Sequence, residues 1–504
     1  MKKGAIFTII LSCLIFFHRS VLGENNVDDE IRKLLGEAYI MAEDYESAEA
    51  EYRKALKEDP KNIAARIGLA DILSWQKKYA DAIALYDEVL GEEENVKIRL
   101  QKARILGWAR KYDKSLKEYR KILDMEYDKL VKLEMNAKTA YWANRVEEAI
   151  FYYKELIEKD PGNLEARFDL SQIYSYQSMW KEAEAEYKHI LHVAPTHFRA
   201  EDALQKTGLI SRHICSETGY GFFEADSSGR HNDIRWHAFR EEVGFPVNDK
   251  LRIITNYNFL VRNFSDFNDI IENNAGIRLM YNQNPDGWLD GFYSIYAYDK
   301  DIKAMHNFGS SLNIRVFDTG ISRFSYRRER LENNSAVIRE HYYNDIFKER
   351  VDIDAGKRLK LGGDFQFSCY SDGNWRMEPA FDLLYYLSLE PMRFSVKYGY
   401  FYREFKDKVS DYFSPKGFST NKISLNWRHF LNKEEVFFGA DNLYYDLRYD
   451  ITIDSEEIVG HKFSGEFNWD INKKLNFNMQ GSITNTSNDI YNDKSLAVSL
   501  KYYF

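Results

Sequence analysis

The chain closes on Ser495-Leu496-Ala497-Val498-Ser499-Leu500-Lys501-Tyr502-Tyr503-Phe504. Leu496, Val498, Leu500, Tyr502 and Phe504 fall on one face, and Ser495, Ala497, Ser499 and Lys501 on the other. Two-residue alternation over about ten residues is the pattern of a transmembrane β-strand, apolar toward lipid and small or polar toward a wet lumen. A soluble sandwich strand also alternates, so the preceding residues have to decide between them.

Upstream of this strand the same period runs back to about Ile214. Segmenting at turn signals such as Pro246-Val-Asn-Asp and Asn284-Pro-Asp-Gly predicts sixteen strands. Among them are 214–225, 232–245, 347–359, 392–404, 418–431, 434–449, 456–470, 474–486 and 492–504. An even count is what single-chain bacterial barrels require. Every second connection is tight, including 246–249, 317–318, 432–433 and 471–473, while 332–346 and 405–417 are long. Segment 332–346 has room for a helix or a further hairpin. Faces assign themselves in several strands: Phe394, Val396, Tyr398, Tyr400 and Tyr402 toward lipid, Arg393, Ser395, Lys397 and Arg403 inward. On the same reading Asn426, Arg428, Glu466, Asn468, Asn476, Asn478 and Gln480 line the lumen. The second strand is ambiguous, because Trp236 and Phe239 cannot share a face. Sixteen strands enclose an aqueous channel, and this mixed lining suits hydroxyl-rich solutes better than one selected ion.

Before residue 210 the period changes. Tyr52, Tyr86, Tyr119, Tyr153 and Tyr187 are spaced 34, 33, 34 and 34 residues apart, with Ala48, Ala82, Ser115, Ala149 and Ala183 in the same register. Asp59-Pro60, Asp160-Pro161 and Ala194-Pro195 punctuate repeat ends. A 34-residue helix–turn–helix with small residues where helices meet, an aromatic in the second helix and a closing proline is the tetratricopeptide (TPR) pattern. Such solenoids bind elongated ligands on a concave face. Trp75, Trp108, Trp142 and Tyr176 recur at one place in the repeat. They form either an aromatic ladder for sugar rings or partners of a protein, or simple packing at the turn between helices.

At the N-terminus, Lys2-Lys3, an apolar run from Ala5 to Phe17 and Val21-Leu22-Gly23 predict a signal peptide cleaved after Gly23. The expected organisation is thus a two-domain α + β chain. Residues 1–23 form the signal peptide, 24–210 an all-α periplasmic TPR solenoid of about five repeats, and 211–504 a transmembrane antiparallel β-barrel of about sixteen strands in the outer membrane. With 36 Tyr and 33 Phe, the chain has the aromatic load of a barrel with interfacial girdles. A net charge of −9 argues against nucleic acid. Cys215 and Cys369 are expected at opposite ends of the barrel as free thiols, and no cysteine–histidine spacing predicts a metal or cofactor.

This order of domains resembles the outer-membrane exporters of bacterial exopolysaccharides: the cellulose-secretion subunit, the poly-N-acetylglucosamine exporter and the YaiO-type proteins. Leu73-Ser-Trp-Gln-Lys-Lys-Tyr79 is similar to their repeat style, and Tyr412-Phe413-Ser414-Pro415-Lys416-Gly417-Phe418 to a Tyr-Tyr-Ser-Pro-x-x-Phe phrase of their barrels. The TPR array is far shorter than in the cellulose subunit. The resemblance implies a porin-like channel that passes polysaccharide outward. Its solenoid would meet the polymer or the periplasmic and inner-membrane synthase components. The end of the chain, with Leu500, Tyr502 and Phe504, resembles the C-terminal signal that outer-membrane proteins show to the barrel assembly machinery. Two other functions compete. A catalytic barrel would need more than His341 and Ser414, which no nucleophile motif accompanies, so a non-enzyme is expected. A barrel that only anchors a TPR scaffold for protein assembly would have its lumen filled, for instance by 332–346.

Overall fold

The computed structural model describes residues 45–504, apart from single positions at helix turns and short loop stretches such as 228–232, 332–334, 389–391 and 432–437. The expected signal peptide and the first helix of the first repeat lie outside the described residues. The chain divides into two compact units, Met1–Met135 and Asn136–Phe504.

The first unit carries α1 (Tyr45–Glu58), α2 (Ile63–Trp75), α3 (Tyr79–Glu92), α4 (Val96–Trp108), α5 (Tyr112–Met125) and the start of α6 (Lys129–Trp142). The second continues through α7 (Val146–Lys159), α8 (Leu164–Tyr176), α9 (Trp180–Val193) and α10 (Phe198–Arg212) into the barrel. Helix starts follow from the residues that precede them. Asn62 Oδ1 accepts from the Ala65 amide at 2.9 Å, Asn95 Oδ1 from Lys97 at 3.0 Å and Asn163 Oδ1 from Ala166 at 3.1 Å. Each such cap contributes about 1 kcal/mol.

Ala48, Ala82, Ser115, Ala149 and Ala183 are fully buried, so neighbouring helices approach over them. The repeat tyrosines fill the space between, and their hydroxyls are satisfied. Tyr119 donates to Glu134 at 2.6 Å and Tyr153 to Asp169 at 2.8 Å, while Tyr187 accepts from Gln172 at 2.7 Å. Tyr86 bonds Asp71, whose carboxyl is raised by burial. A buried phenol left without a partner would cost more than the bond itself contributes.

The barrel strands are β1 (Cys215–Ser227), β2 (Ile234–Pro246), β3 (Leu251–Phe264), β4 (Phe267–Asn284), β5 (Gly287–Tyr298), β6 (Met305–Val316), β7 (Gly320–Arg330) and β8 (Tyr343–Asp354). They continue as β9 (Leu359–Tyr370), β10 (Trp375–Tyr386), β11 (Met392–Phe405), β12 (Phe418–Phe430), β13 (Leu443–Asp454), β14 (Val459–Asn472), β15 (Leu475–Thr486) and β16 (Tyr491–Tyr503). Each pairs antiparallel with its sequence neighbour, and β1 pairs with β16 from Cys215↔Tyr503 to Ser227↔Tyr491, which closes the cylinder. The closing residues are those of the terminal alternating stretch, which β16 contains as far as Tyr503.

Segment 332–346, which has room for a helix or a further hairpin, contains helix α11 (Ser335–Arg339). Two strand bounds are corrected, the first being that β8 begins at Tyr343 rather than 347. The strand expected over 434–449 is corrected: Phe438, Gly439 and Ala440 lie in a turn, Phe438 packs against helix residues, and the strand β13 runs from Leu443 to Asp454, while the tight turn expected at 432–433 lies outside the described residues.

The near end of the barrel is the one where β1 starts and β16 finishes; the far end carries the β7–β8 and β11–β12 loops. Cys215 sits at the near end and Cys369 near the far end, and both are free thiols. The two faces of the wall are inverted relative to a soluble sheet. Leu289, Phe324, Phe347, Phe365, Phe381, Trp427, Phe463 and Ile483 are exposed on the outside, where only lipid removes them from water.

Replacing Ala149 by Leu forces a branched side chain into a closed helix contact. The expected cost is about 1–3 kcal/mol, read as a lower melting temperature of the helical circular-dichroism signal with barrel heat-modifiability unchanged. A second outcome concerns pH. His197 caps α10, its Nδ1 accepting from the Ala200 amide at 3.1 Å, and burial together with nearby Arg199 lowers its pKa to about 4. The folded value lies below the ordinary 6.5, so the contribution is present above about pH 6.5 and is lost as pH falls toward about 4. His197→Asn keeps a capping oxygen and removes the titration. Between these limits the native protein should lose on the order of 2 kcal/mol more than the variant, measured by paired melts across pH.

Candidate functional site

Register assigns the inner wall residue by residue. Arg393, Ser395 and Lys397 pair across from Arg428, Asn426 and Ser424, and all six line one cavity of about 700 Å³. Glu466 and Gln480 complete it from β14 and β15. Asn468 and Asn476 lie further toward the near end, where Asn476 Nδ2 donates to Asn468 at 3.0 Å; Asn478 donates to Glu466 at 3.0 Å. Arg403 stands apart, at the far end beside Glu378. The structure thus places the lumen residues named from sequence on one continuous wall, with Arg403 on its far rim. Trp236 faces inward, stacked on Phe223 at 5.7 Å, and Phe239 faces outward. The bare Cα of Gly221, across from Ala238, leaves room for the Trp236 indole.

The inner charges are mostly satisfied by partners on the same wall. Arg428 pairs with Asp446 at 2.9 Å, Lys397 with Asp382 at 3.2 Å and Arg448 with Asp450 at 2.9 Å. Arg350 holds Asp352 at 2.6 Å and Asp382 at 3.2 Å, and also bonds Asp364. Half-exposed pairs of this kind contribute little stability individually. They give the lumen a polar surface already bonded to itself, over which a solute can slide.

At the far end α11 folds inward. Val337 and Ile338 are both fully buried but enter different clusters. Val337 packs with Leu331, Tyr370, Phe405 and Tyr412; Ile338 packs with Phe264 and Ile270. Two adjacent side chains therefore tie the segment to inner-wall sectors on β9–β11 and on β3–β4, narrowing the mouth on that side. The Tyr-Phe-Ser-Pro phrase braces it. Tyr412 stacks on Tyr370 at 5.0 Å and 7°, donates to Asp372 at 2.8 Å and accepts from Asn374 at 2.9 Å. Burial pushes its hydroxyl pKa up. Phe413 meets Phe418 edge-on at 5.5 Å. Ser414 is buried, accepting from the Val409 amide at 2.6 Å and donating to the Val409 carbonyl at 3.1 Å, and Pro415 follows it half-buried. The hydroxyl that a catalytic reading would have used is spent on this loop.

At the near end the last repeats meet the barrel. Phe438 lies edge-on to Tyr176 at 5.7 Å and against Trp180 at 5.9 Å, and its amide donates to Gln172 Oε1 at 2.7 Å. Lys206 of α10 pairs with Asp470 at 3.1 Å; Lys473 bonds Asp202, and donates to Gln205 at 2.7 Å. Arg252 Nη1 donates to the Ile210 carbonyl at 2.9 Å. Gly439 has φ +97°, and a Cβ there would stand 2.5 Å from Ala203 Cα. Of the four repeat aromatics, each ends its helix: Trp75 packs on Tyr45 at 6.0 Å, Trp108 on the cluster around Tyr86, Trp142 is half-buried, and Tyr176 meets the barrel turn. Leu500, Tyr502 and Phe504 point outward, and the Phe504 amide donates to Ile214 at 3.0 Å.

Sequence reasoning does not find Phe438 and Gly439, because the aromatic-glycine pair falls inside the alternating pattern expected to be a strand over 434–449.

The tetratricopeptide-repeat family model matches residues 39–105 and 142–206, so these segments are tetratricopeptide repeats. No curated protein matches the chain. Among solved structures, a bacterial polysaccharide outer membrane secretin is similar at 12% identity, over 57% of this chain and 98% of that one, with a TM-score of 0.45. Pseudomonas aeruginosa OpdO is similar at 12% identity over 58% and 96%, TM-score 0.34. YrrB, a TPR protein with an unusual peptide-binding site, is similar at 18% over 35% and 91%, TM-score 0.23.

Gly439→Val should both strain a left-handed backbone and push the turn off α10, at a cost on the order of 3 kcal/mol. The expected readout is faster tryptic release of the helical half while the barrel remains heat-modifiable on gels.

Proposed function

We propose that this chain is an outer-membrane channel that exports an exopolysaccharide, with its TPR repeats in the periplasm. The observation that carries this reading is the inverted wall: an apolar exterior around a polar lumen with cavities of about 700 and 660 Å³. Those volumes lie in the range of sites that hold small ligands, and a side chain-lined, self-paired surface favours passage over tight retention.

Orientation follows from loop lengths. Barrels of this class carry short turns on the periplasmic side and longer loops outside. Here the tight β2–β3, β4–β5, β6–β7 and β14–β15 turns are at the near end, and the long 331–342 and 406–417 loops at the far end. The α8–α10 helices bond the near end, which supports a periplasmic solenoid. On this reading the signal peptide at 1–23 directs export of the chain. The outward Leu500, Tyr502 and Phe504 serve the assembly machinery, and the exposed repeat surface meets synthase components. The lumen supplies guided diffusion and no chemistry.

The inward fold of α11 favours one alternative, a closed barrel anchoring a TPR scaffold for protein assembly. Single-channel recording separates the two. The export reading expects a measurable conductance that rises several-fold when 332–342 are deleted. Silence in both proteins, each shown to be folded by heat-modifiability, supports the scaffold.

A further inference from the structure

On the inner face of β5 an aromatic recurs at every fourth residue: Trp288, Phe292 and Tyr296. Leu289, Tyr293 and Ile295, in between, are exposed on the outside. The three inner rings line one cavity of about 660 Å³, and successive rings stand about 13 Å apart along the strand. An aromatic on a wet wall keeps apolar surface in contact with water until a solute covers it.

The wall is shaped for the Phe292 ring. Phe292 pairs across the ladder with Gly309, where a Cβ would stand 2.8 Å from Phe292 Cε1. The ring therefore leans over bare backbone and turns a face toward the lumen. Trp288, like Phe292, is half-buried. One face of Tyr296 is covered by the Arg330 guanidinium at 3.9 Å. Trp288 and Phe292 are thus the platforms, and Tyr296 marks where the track continues.

Tyr296 also lines a second cavity, of about 460 Å³. Leu331, Tyr370 and Tyr412 of its lining pack with Val337, which sets it next to α11. Asn307 and Asn344 belong to the same lining and are more than nine-tenths buried. The Oδ1 of each has no hydrogen-bond partner among the described residues. A buried acceptor left without a donor is costly. Rotation of either carboxamide toward the cavity lets a ligand hydroxyl supply the missing bond.

Charges beside the track already have partners. Arg278 pairs with Asp290 and Arg240 with Glu242, Arg327 holds Glu329 at 3.0 Å, and Arg323 Nε donates to Asn313 at 3.0 Å. An ionic substituent would have to displace one of these partners, whereas an uncharged ring needs only an apolar platform and hydrogen-bonding groups around it. Asn256 and Asn258, which donate to Asn274 at 3.1 and 2.9 Å, add carboxamides to the same wall. A pyranose with equatorial substituents has the matching form, with C–H groups on its faces and hydroxyls around its edge.

We propose that Trp288, Phe292 and Tyr296 form a stacking track for uncharged pyranose rings of the exported chain, leading to a subsite next to α11 where Asn307 and Asn344 take its hydroxyls. The inference rests on the export reading and names the residues that hold its substrate.

Block of the current in planar bilayers tests it, in the full chain or in the 332–342 deletion if only that protein conducts. Cellopentaose or penta-N-acetylchitopentaose should block where polyethylene glycol of the same length, which has no ring faces, and pentagalacturonate, which is charged, do not. Trp288→Ala/Phe292→Ala should weaken that block about tenfold. Should the double variant fail to fold, Phe292→Leu keeps the volume without the ring and should also weaken block, while Phe292→Tyr retains it. Block unchanged in Phe292→Leu, equal block by polyethylene glycol, stronger block by pentagalacturonate, or no block of a conducting channel by either neutral sugar overturns the track and leaves export standing. Silence of the folded protein with and without 332–342 overturns export and the track together.

Discussion

Inside a bilayer no water is available to satisfy a backbone amide or carbonyl, so a sheet survives there only if it has no edges. The β1–β16 pairing meets that demand, and the rest of the molecule is arranged around it. It runs for the full length of both strands and is extended past them by the bond from the Phe504 amide to Ile214. Once the ring is closed, alternation sends every second side chain outward into lipid and the others into the lumen. The exposed Phe463 and Ile483, and the cavity-lining Ser464 and Ser482 next to them, are two expressions of one period.

Closure also constrains what happens at each mouth. Loops at the far end can bury apolar side chains only against the inner wall or against each other. Val337, Ile338 and Tyr412 do both, which draws α11 into the opening. At the near end the β12–β13 connection is lengthened instead of tight, and Phe438 and Gly439 give the last repeats a place to bind. The solenoid contributes through its own repeating physics. Each fully buried tyrosine and small residue closes a local helix contact, so the array extends without long-range pairing. Its terminal helix α10 differs in using Asp202, Gln205 and Lys206 to reach barrel groups.

Much of this was legible from periodicity. The tyrosine spacing named the repeats, and the alternation of β11, β12, β14 and β15 separates exposed apolar side chains from polar ones that line the cavity. Trp236 was not legible, because a bulky aromatic on the lumen face is tolerated only where Gly221 across the ladder leaves space. The 434–449 assignment failed for a related reason: apolar β-formers carry the same local signal whether they face lipid or dock a helix. Of the ion pairs around Glu272 and Glu378, Arg330–Glu272 joins β7 to β4 and is not legible in sequence, whereas Arg376–Glu378 lies within β10 and Arg262–Glu272 and Arg403–Glu378 join neighbouring strands.

The sequence by itself therefore determined the two architectures, the strand count and the sidedness of the wall. Those depend on periods of about 34 and of two residues, which local sterics translate directly into helix pairs and pleated strands. Tertiary structure decided which loop packs into the far mouth, where the repeats bind the barrel, and which inner charges pair with which. Each of these depends on side chains brought together by ring closure, and sequence distance carries no information about which of them will meet.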